Sequence, residues 1–416
     1  MQSYVSRIVK EAKKASYLLA GVSADIKDRA LQRMAKYLLD NREYIFKANR
    51  KDLKQAVKDK LKESFIDRLT LDEKRLKEMR ESLREIAGLP SPVGSIIDGW
   101  QSKGGFPIQK VRVPIGVIFM IYEARPNVTS DSIGLLFKSS NAAILRGGAA
   151  AINSNKAIAA TLRKAVRDSG INFDPFFIID KPEYKIVDAL LRESNYIDLV
   201  IPRGGQALIK KVVKKSQIPV IKHYKGVCHI FVDKYLDMEK ALKICLNAKV
   251  QRPSVCNAVE TILVHKDIAS KFLPKLKKEL DKSGVQIRAG NAAAKILKGV
   301  RKAKQQDWST EYLDLIVSIK VVKNLDEAIA HINCYGSHHT DSIVTENIDN
   351  GRRFTKEVDS ACCFVNISTR FSDGYQFGLG AEIGISTDKL HARGPMGLSD
   401  LTTYKYVAYG DGQVRE

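Results

Sequence analysis

The chain has 416 residues, 44% of them hydrophobic, which is enough to bury the cores of two or three domains. It contains no run of the roughly 18 apolar residues that a membrane span requires. The charged N-terminus also lacks the apolar core of a signal peptide. These features exclude a membrane protein and favour a cytoplasmic one.

The formal net charge of +22 raises nucleic-acid binding as one hypothesis. The lysines are spread through amphipathic helices, without a basic tail or the interleaved aromatic residues of single-strand binders. A basic surface that attracts anionic small molecules is therefore the favoured interpretation. The six cysteines show no CxxC pair and no zinc-type spacing, so we expect reduced thiols and no metal site.

The first part of the chain, residues 1–87, has a helical pattern. Residues 70–73 (TLDE) predict a capping box that opens a helix with Leu76, Met79, Leu83 and Ile86 on one face. Prolines and a glycine then interrupt the pattern between Pro90 and Gly94. The alternating segment 109–113 that follows is typical of half a β-hairpin.

From residue 116 short apolar strands alternate with helices, which predicts a doubly wound parallel sheet of the α/β class. A second α/β unit is predicted to begin near residue 226, and a strand-like run ends the chain. The predicted strands are 116–122, 142–145, 176–179, 197–201, 229–232, 261–264, 316–321 and 402–408; the predicted helices are 130–138, 154–168, 185–191, 206–215, 238–248, 269–282 and 326–332.

Two turns of the first α/β region resemble each other, because residues 145–148 (LRGG) and 202–205 (PRGG) both lead from a strand through Arg-Gly-Gly towards a helix. Glycines there allow a ligand to approach the backbone, the helix offers unpaired N–H groups, and arginine binds phosphate. The turns thus indicate a dinucleotide site, and the arginines favour a cofactor with an extra phosphate. A pair of ordinary βα turns is the alternative, since the GxGxxG motif is absent.

Cys256 lies between a Pro-Ser turn signal and an apolar alternating segment, within residues 251–264 (QRPSVCNAVETILV). It is expected where a loop enters a sheet. A thiol there can act as a nucleophile, and the nearby Arg252 favours the thiolate. The alternative is a small buried hydrophobic residue.

These segments together resemble the γ-glutamyl phosphate reductase branch of the aldehyde dehydrogenase superfamily, over essentially the full length. The resemblance is carried by residues 123–131 (EARPNVTSD), 145–148, 153–158 (NSNKAI), 199–205 (LVIPRGG), 228–233 (CHIFVD), 251–257, 310–315 (TEYLDL), 376–387 (QFGLGAEIGIST) and 391–398 (HARGPMGL).

The resemblance implies roles for particular residues. Cys256 is the nucleophile, and the Asn127 amide forms an oxyanion hole with the Cys256 backbone N–H. Arg146 suits the 2′-phosphate of NADPH, the cofactor expected here. The remaining predicted positions are Gly204 and Gly205 for the cofactor pyrophosphate, Glu311 for the nicotinamide ribose, and Arg252, Ser254 and Arg370 for the substrate.

An aldehyde-dehydrogenase-like fold in three parts is also implied. A cofactor-binding domain would comprise residues 1–100 and 116–225, a catalytic domain 226–395, and an oligomerisation flap 101–115 and 396–416, making a homo-oligomer. The implied reaction is the NADPH-dependent reduction of L-glutamate 5-phosphate to the 5-semialdehyde, in proline biosynthesis.

The chain departs from oxidising aldehyde dehydrogenases at residues 221–226 (IKHYKG), which lack the carboxylate of an ELGGK-like block. Without that base a thioester can exchange with phosphate. Another NAD(P)-dependent aldehyde dehydrogenase is the alternative. Within the closer family, Tyr375 replaces an expected glycine.

Overall fold

The computed structural model describes residues 1–222 and 225–415, apart from the side chain of Ser64. It divides into two compact units. Residues 223 and 224, part of the stretch compared with the ELGGK-like block, lie outside the described residues. The three-domain assignment stays a prediction. The first unit comprises Met1–Lys222, Gly378–Gly384 and Met396–Glu416, and the second comprises His223–Phe377 and Ile385–Pro395.

The first unit begins with helices, as predicted, and the predicted apolar face of the last of them is buried. The predicted capping box is wrong in one respect. Asp72 is the N-cap and accepts a hydrogen bond from the Arg75 N–H at 2.7 Å, whereas the Thr70 hydroxyl donates to the Ile66 carbonyl of the preceding helix. The helices are α1 Gln2–Ala20, α2 Ala24–Asp40, α3 Arg42–Lys58, α4 Glu63–Leu69 and α5 Glu73–Gly88.

Two sheets complete the first unit. The strands β1 Ile96–Gln101, β2 Pro107–Pro114 and β16 Thr402–Ala408 form an antiparallel sheet in the order β1-β2-β16, so the predicted half-hairpin pairs with the C-terminal strand. The other sheet is parallel, in the order β5-β4-β3-β6. It consists of β3 Val117–Tyr122, β4 Ala142–Arg146, β5 Phe176–Ile178 and β6 Leu199–Arg203, with helices α6 Pro126–Lys138, α7 Ile152–Arg167, α8 Tyr184–Leu190 and α9 Gln206–Lys215.

The second unit contains a seven-stranded parallel sheet in the order β10-β9-β11-β8-β7-β12-β13. Apolar side chains on both faces form its cores, because its helices cover both faces. The strands are β7 Cys228–Val232, β8 Val259–His265, β9 Gln286–Ala289, β10 Arg301–Lys302, β11 Ile316–Val322, β12 Thr340–Val344 and β13 Cys362–Val365. The helices are α10 Met238–Val250, α11 Lys266–Lys282, α12 Asn291–Ile296, α13 Leu325–Tyr335 and α14 Ile348–Glu357. In addition, a small antiparallel ribbon pairs β14 Ile385–Ser386 with β15 Gly394–Pro395.

Across the described ranges 1–222 and 225–415, no helix is both long enough and apolar enough to cross a bilayer.

Candidate active site

Cys256 lies in the loop between α10 and β8, at the amino end of the central strand of the seven-stranded sheet. Strands β7 and β11 flank β8, so the residues that precede them lie at the same end of the sheet. The Cys256 residue is partly exposed. The prediction that this thiol lies where a loop enters a sheet is confirmed.

Gly226 packs against the backbone of Cys256 so closely that only glycine fits. A Cβ atom on residue 226 would lie 1.8 Å from the Cys256 carbonyl oxygen. The Gly226 N–H donates to Glu311 Oε1 at 2.8 Å, and burial raises the pKa of that carboxyl group. Glu311 therefore fixes the segment on which Cys256 rests. Its predicted cofactor role stays a prediction.

A second contact to the Cys256 backbone comes from Cys228, the first residue of β7. The Cys228 thiol donates to the Cys256 carbonyl oxygen at an S···O distance of 3.2 Å. Cys228 is fully buried, and burial raises its pKa well above the usual thiol value. The side chain thus stays an S–H donor. Sequence reasoning missed this contact, because the two cysteines are far apart along the chain.

Arg370 forms hydrogen bonds with residues on both sides of Cys256. Its Nε donates to Gln251 Oε1 at 2.8 Å, and its Nη1 donates to Asn257 Oδ1. The Asn257 amide in turn donates to the Ser372 carbonyl at 2.8 Å. Arg370 was predicted to bind substrate, and the structure gives it contacts that position the loop.

The loop lies in a positive electrostatic environment. Burial lowers the pKa of Arg370, and the charge of Arg252 lowers it further, while the Cys256 thiol acts in the opposite direction. The Arg370 guanidinium therefore interacts with the thiol, and its positive charge favours the thiolate. Arg252 and Ser254 are themselves exposed, and their predicted substrate contacts stay predictions.

A buried ion pair, which sequence reasoning missed, supports the segment that carries Glu311. Lys249 Nζ lies 2.7 Å from Glu260 Oε2, and both side chains are completely buried. The pair also binds the backbone, through the Leu313 N–H and the Asp314 carbonyl, each at 3.2 Å. Burial raises the pKa of Glu260 to about 7, although the Lys249 charge opposes this. The only sequence signal was a glutamate within an apolar strand.

In the first unit, the two Arg-Gly-Gly turns follow β4 and β6, which flank β3 on either side. A Cβ on Gly148 would lie 3.1 Å from the Ala124 nitrogen, and one on Gly204 would lie 2.8 Å from Glu123 Oε1. Both turns therefore pack against the residues that follow β3. The chain winds in opposite directions from β3, and such a switch point is where open α/β sheets bind ligands.

Glu123 contacts the turn for which the resemblance implied pyrophosphate binding. Its Oε1 accepts a hydrogen bond at 2.8 Å from the N–H of Gly205, the N-cap of α9. A carboxylate oxygen here has the charge and geometry of a phosphate oxygen at a helix N-terminus. The turn thus has the geometry of an anion-binding N–H group, and its predicted contact with a pyrophosphate stays a prediction. Sequence reasoning did not identify Glu123 as part of this site.

Arg146 is buried at the end of β4, and its Nη2 donates to the Pro182 carbonyl at 3.0 Å. Its Cζ lies 5.0 Å from the centre of the Tyr184 ring. The structure therefore brings Arg146 to the same edge of the sheet as the glycine turns. Its predicted contact with a 2′-phosphate stays a prediction.

Asn127 lies in the first turn of α6, which begins at Pro126 rather than at residue 130 as predicted. Proline is favoured at the first helical position, because its missing N–H would be unpaired there. The exposed Asn127 amide donates to Asp131 Oδ2 at 3.3 Å. Burial raises the pKa of Asp131 to about 6, against the hydrogen bonds from Ser82 and Asn127. The predicted oxyanion-hole role of Asn127 stays a prediction.

Comparison with known proteins decides the family. Residues 1–314 match the model of the aldehyde dehydrogenase family. The chain belongs to this family. It is 54% identical to the γ-glutamyl phosphate reductase of Caldanaerobacter subterraneus subsp. tengcongensis over 407 residues, 98% of either chain. The crystal structure of γ-glutamyl phosphate reductase from Thermotoga maritima is 46% identical, with a TM-score of 0.97 and coverage of 99% of this chain and 100% of that one.

A more distant member of the aldehyde dehydrogenase family shows the same architecture. An acetylating aldehyde dehydrogenase from Geobacillus thermoglucosidasius is 16% identical, with a TM-score of 0.69, and covers 100% of this chain and 98% of its own. The predicted aldehyde-dehydrogenase-like α/β fold is therefore confirmed.

Proposed function

We propose that this member of the aldehyde dehydrogenase family reduces L-glutamate 5-phosphate to L-glutamate 5-semialdehyde and phosphate, with NADPH, in proline biosynthesis. The observation that carries the proposal is the 54% identity, over nearly the whole chain, to a relative named γ-glutamyl phosphate reductase. The Cys256 loop supports it, because a partly exposed thiol that interacts with the Arg370 charge suits attack on an anionic acyl phosphate.

In the first step the Cys256 thiolate attacks the acyl carbon. A C–S bond forms, the C–O bond to the phosphoryl group breaks, and phosphate leaves with the electron pair, so that a thioester remains on Cys256. The Gly226, Cys228 and Arg370 contacts fix the loop during this attack. The Asn127 amide and the Cys256 N–H are the proposed donors to the developing oxyanion.

In the second step the thioester carbon accepts a hydride, which is the chemistry that a bound dihydronicotinamide supplies. The resulting tetrahedral oxyanion uses the same two donors. It collapses by re-forming the carbonyl group and expelling the Cys256 thiolate, which regenerates the nucleophile. The stretch 221–226 has no carboxylate to activate water, which favours exchange with phosphate over hydrolysis.

For cofactor binding we assign the pyrophosphate to Gly204 and Gly205, the nicotinamide ribose to Glu311 and the 2′-phosphate to Arg146. Arg252, Ser254 and Arg370 are the proposed substrate-binding residues. We further propose a homo-oligomer that assembles through the three-stranded sheet of β1, β2 and β16.

The test is the reaction in the oxidative direction. Glutamate semialdehyde with NADP⁺ is expected to form NADPH only when inorganic phosphate is present. Cys256→Ser should abolish this turnover, whereas Cys334→Ser, which changes an exposed thiol, should keep it. Equal rates with and without phosphate would instead indicate an aldehyde dehydrogenase that releases a free acid.

A further inference from the structure

Three elements of the first unit bring two cations to one exposed aromatic ring. Tyr184, the first residue of α8, is 57% exposed. Arg146 Cζ at the end of β4 lies 5.0 Å from the centre of its ring, and Lys211 Nζ on α9 lies 4.4 Å from it. Both distances are within the range of cation–π contacts, so the ring draws the two positive charges together.

No ion pair neutralises the two cations in the part of the chain that the structure describes. Within residues 1–222 and 225–415, neither Arg146 nor Lys211 forms a salt bridge, and the hydrogen bond of Arg146 goes to a neutral carbonyl group. Because each lies within 5.0 Å of the same ring centre, the two charges are less than about 10 Å apart and repel each other. An anion in contact with both groups would offset that repulsion and accept charge-assisted hydrogen bonds from both.

The position of Lys211 indicates which anion this is. Lys211 lies six residues after Gly205, and therefore about 9 Å farther along the axis of α9. The Gly205 N–H is the group that donates to the Glu123 carboxylate. A second phosphate on the same ligand, one nucleoside away from its pyrophosphate, fits this separation. We infer that Lys211 and Arg146 together bind the 2′-phosphate of the cofactor, and that the Tyr184 ring positions both cations. This inference rests on the proposed use of NADPH.

Calorimetric titration of the whole enzyme with 2′,5′-ADP and with 5′-ADP tests the inference. Lys211→Ala should weaken 2′,5′-ADP roughly tenfold and leave 5′-ADP unchanged, because one charge-assisted contact to the 2′-phosphate is lost. Lys210→Ala removes the same charge from the neighbouring exposed position and should change neither affinity. The KM for NADPH should rise in parallel, without a fall in kcat.

Tyr184 variants separate positioning from general packing. Tyr184→Phe keeps the ring and should bind 2′,5′-ADP like the parent, whereas Tyr184→Leu should lose affinity for 2′,5′-ADP selectively. The inference is overturned if Lys211→Ala behaves like Lys210→Ala, or if it weakens both nucleotides equally. A parent enzyme that binds both nucleotides equally well would overturn the choice of NADPH itself, and this inference with it.

Discussion

The two parallel sheets carry their candidate site residues at opposite ends of the strands. In the first unit, the Arg-Gly-Gly turns follow β4 and β6, so the site lies at the carboxyl ends. In the second unit, Cys256 precedes β8, Gly226 precedes β7 and Glu311 precedes β11, so the site lies at the amino ends. The general rule for α/β sheets places ligands at carboxyl ends, and only the first unit follows it.

This difference determines which groups each site needs. At the carboxyl end of β6 the next helix begins, and its first N–H groups attract an anion without any charged side chain. The Cys256 loop instead follows the carboxyl terminus of α10, whose dipole is negative and disfavours a thiolate. Arg370 supplies positive charge to the thiol at this end of the sheet. The Gly205 turn thus offers a backbone N–H group to an anion, whereas the Cys256 loop depends on a charged side chain.

The largest expected effect tests whether the first unit contributes to the chemistry as well as to binding. Asn127→Ala removes a proposed oxyanion donor and should lower kcat by roughly 10²–10³, with little change in KM. Steady-state kinetics and melting temperature measure this. Asn172→Ala, on the surface of the same unit, is the control. A parent-like kcat in Asn127→Ala would confine the first unit to cofactor binding.

The next effect tests the close packing at the amino ends. A methyl group at residue 226 must displace the Cys256 backbone, and a displacement of about 1 Å costs on the order of 10² in rate. Gly226→Ala should therefore lower kcat by about that factor while the protein stays folded. Gly88→Ala, where a Cβ has open space, should be neutral. Normal turnover in Gly226→Ala would mean that the Cys256 loop tolerates movement.

The first unit was the easier one to predict from sequence, for a physical reason. Its strands β3, β4 and β6 are almost completely buried and read as apolar runs, and its glycine turns are contiguous in sequence. The exposed strand β1 was missed, because all of its residues face solvent and no apolar pattern marks them. Cys256 was found from its turn signal. Sequence patterns did not predict the contacts that Cys228, Gly226 and Arg370 make with the Cys256 loop, because these contacts join segments up to 119 residues apart.

The buried thiol beneath Cys256 should have a smaller effect. Cys228→Ala removes one hydrogen bond to the Cys256 carbonyl and should lower kcat about fivefold without changing KM, since one such bond contributes about 1 kcal/mol. Cys228→Ser keeps a donor and should restore most of the rate. Cys245→Ala creates a cavity at an equally buried thiol and should leave kcat unchanged. If both alanine variants lose rate equally, packing rather than the hydrogen bond explains the loss.

The last prediction concerns how each unit accommodates a carboxylate that is shielded from water, fully for Glu260 and partly for Asp131. Glu260 is paired with Lys249, whereas the hydrogen bonds to Asp131 come from the neutral Ser82 hydroxyl and Asn127 amide. Burial raises the pKa of Asp131 to about 6, above its value of 3.8 in the unfolded chain. The folded state therefore binds this proton more tightly. Its contribution to stability is present below pH 3.8 and is lost as the pH rises through 6.

Asp131→Asn should remove this loss, because an amide does not ionise. Melting temperatures of variant and parent should diverge between about pH 4 and pH 6, with the variant higher above pH 6, by up to ~3 kcal/mol in free energy of unfolding. Asp411→Asn, at an exposed position, should show a constant difference across this range. If the melting temperatures of the Asp131→Asn variant and the parent differ by the same amount at pH 4 and pH 7, Asp131 has the same pKa in the folded and the unfolded chain. The neutral donors of the first unit would then hold the Asp131 charge without a net cost.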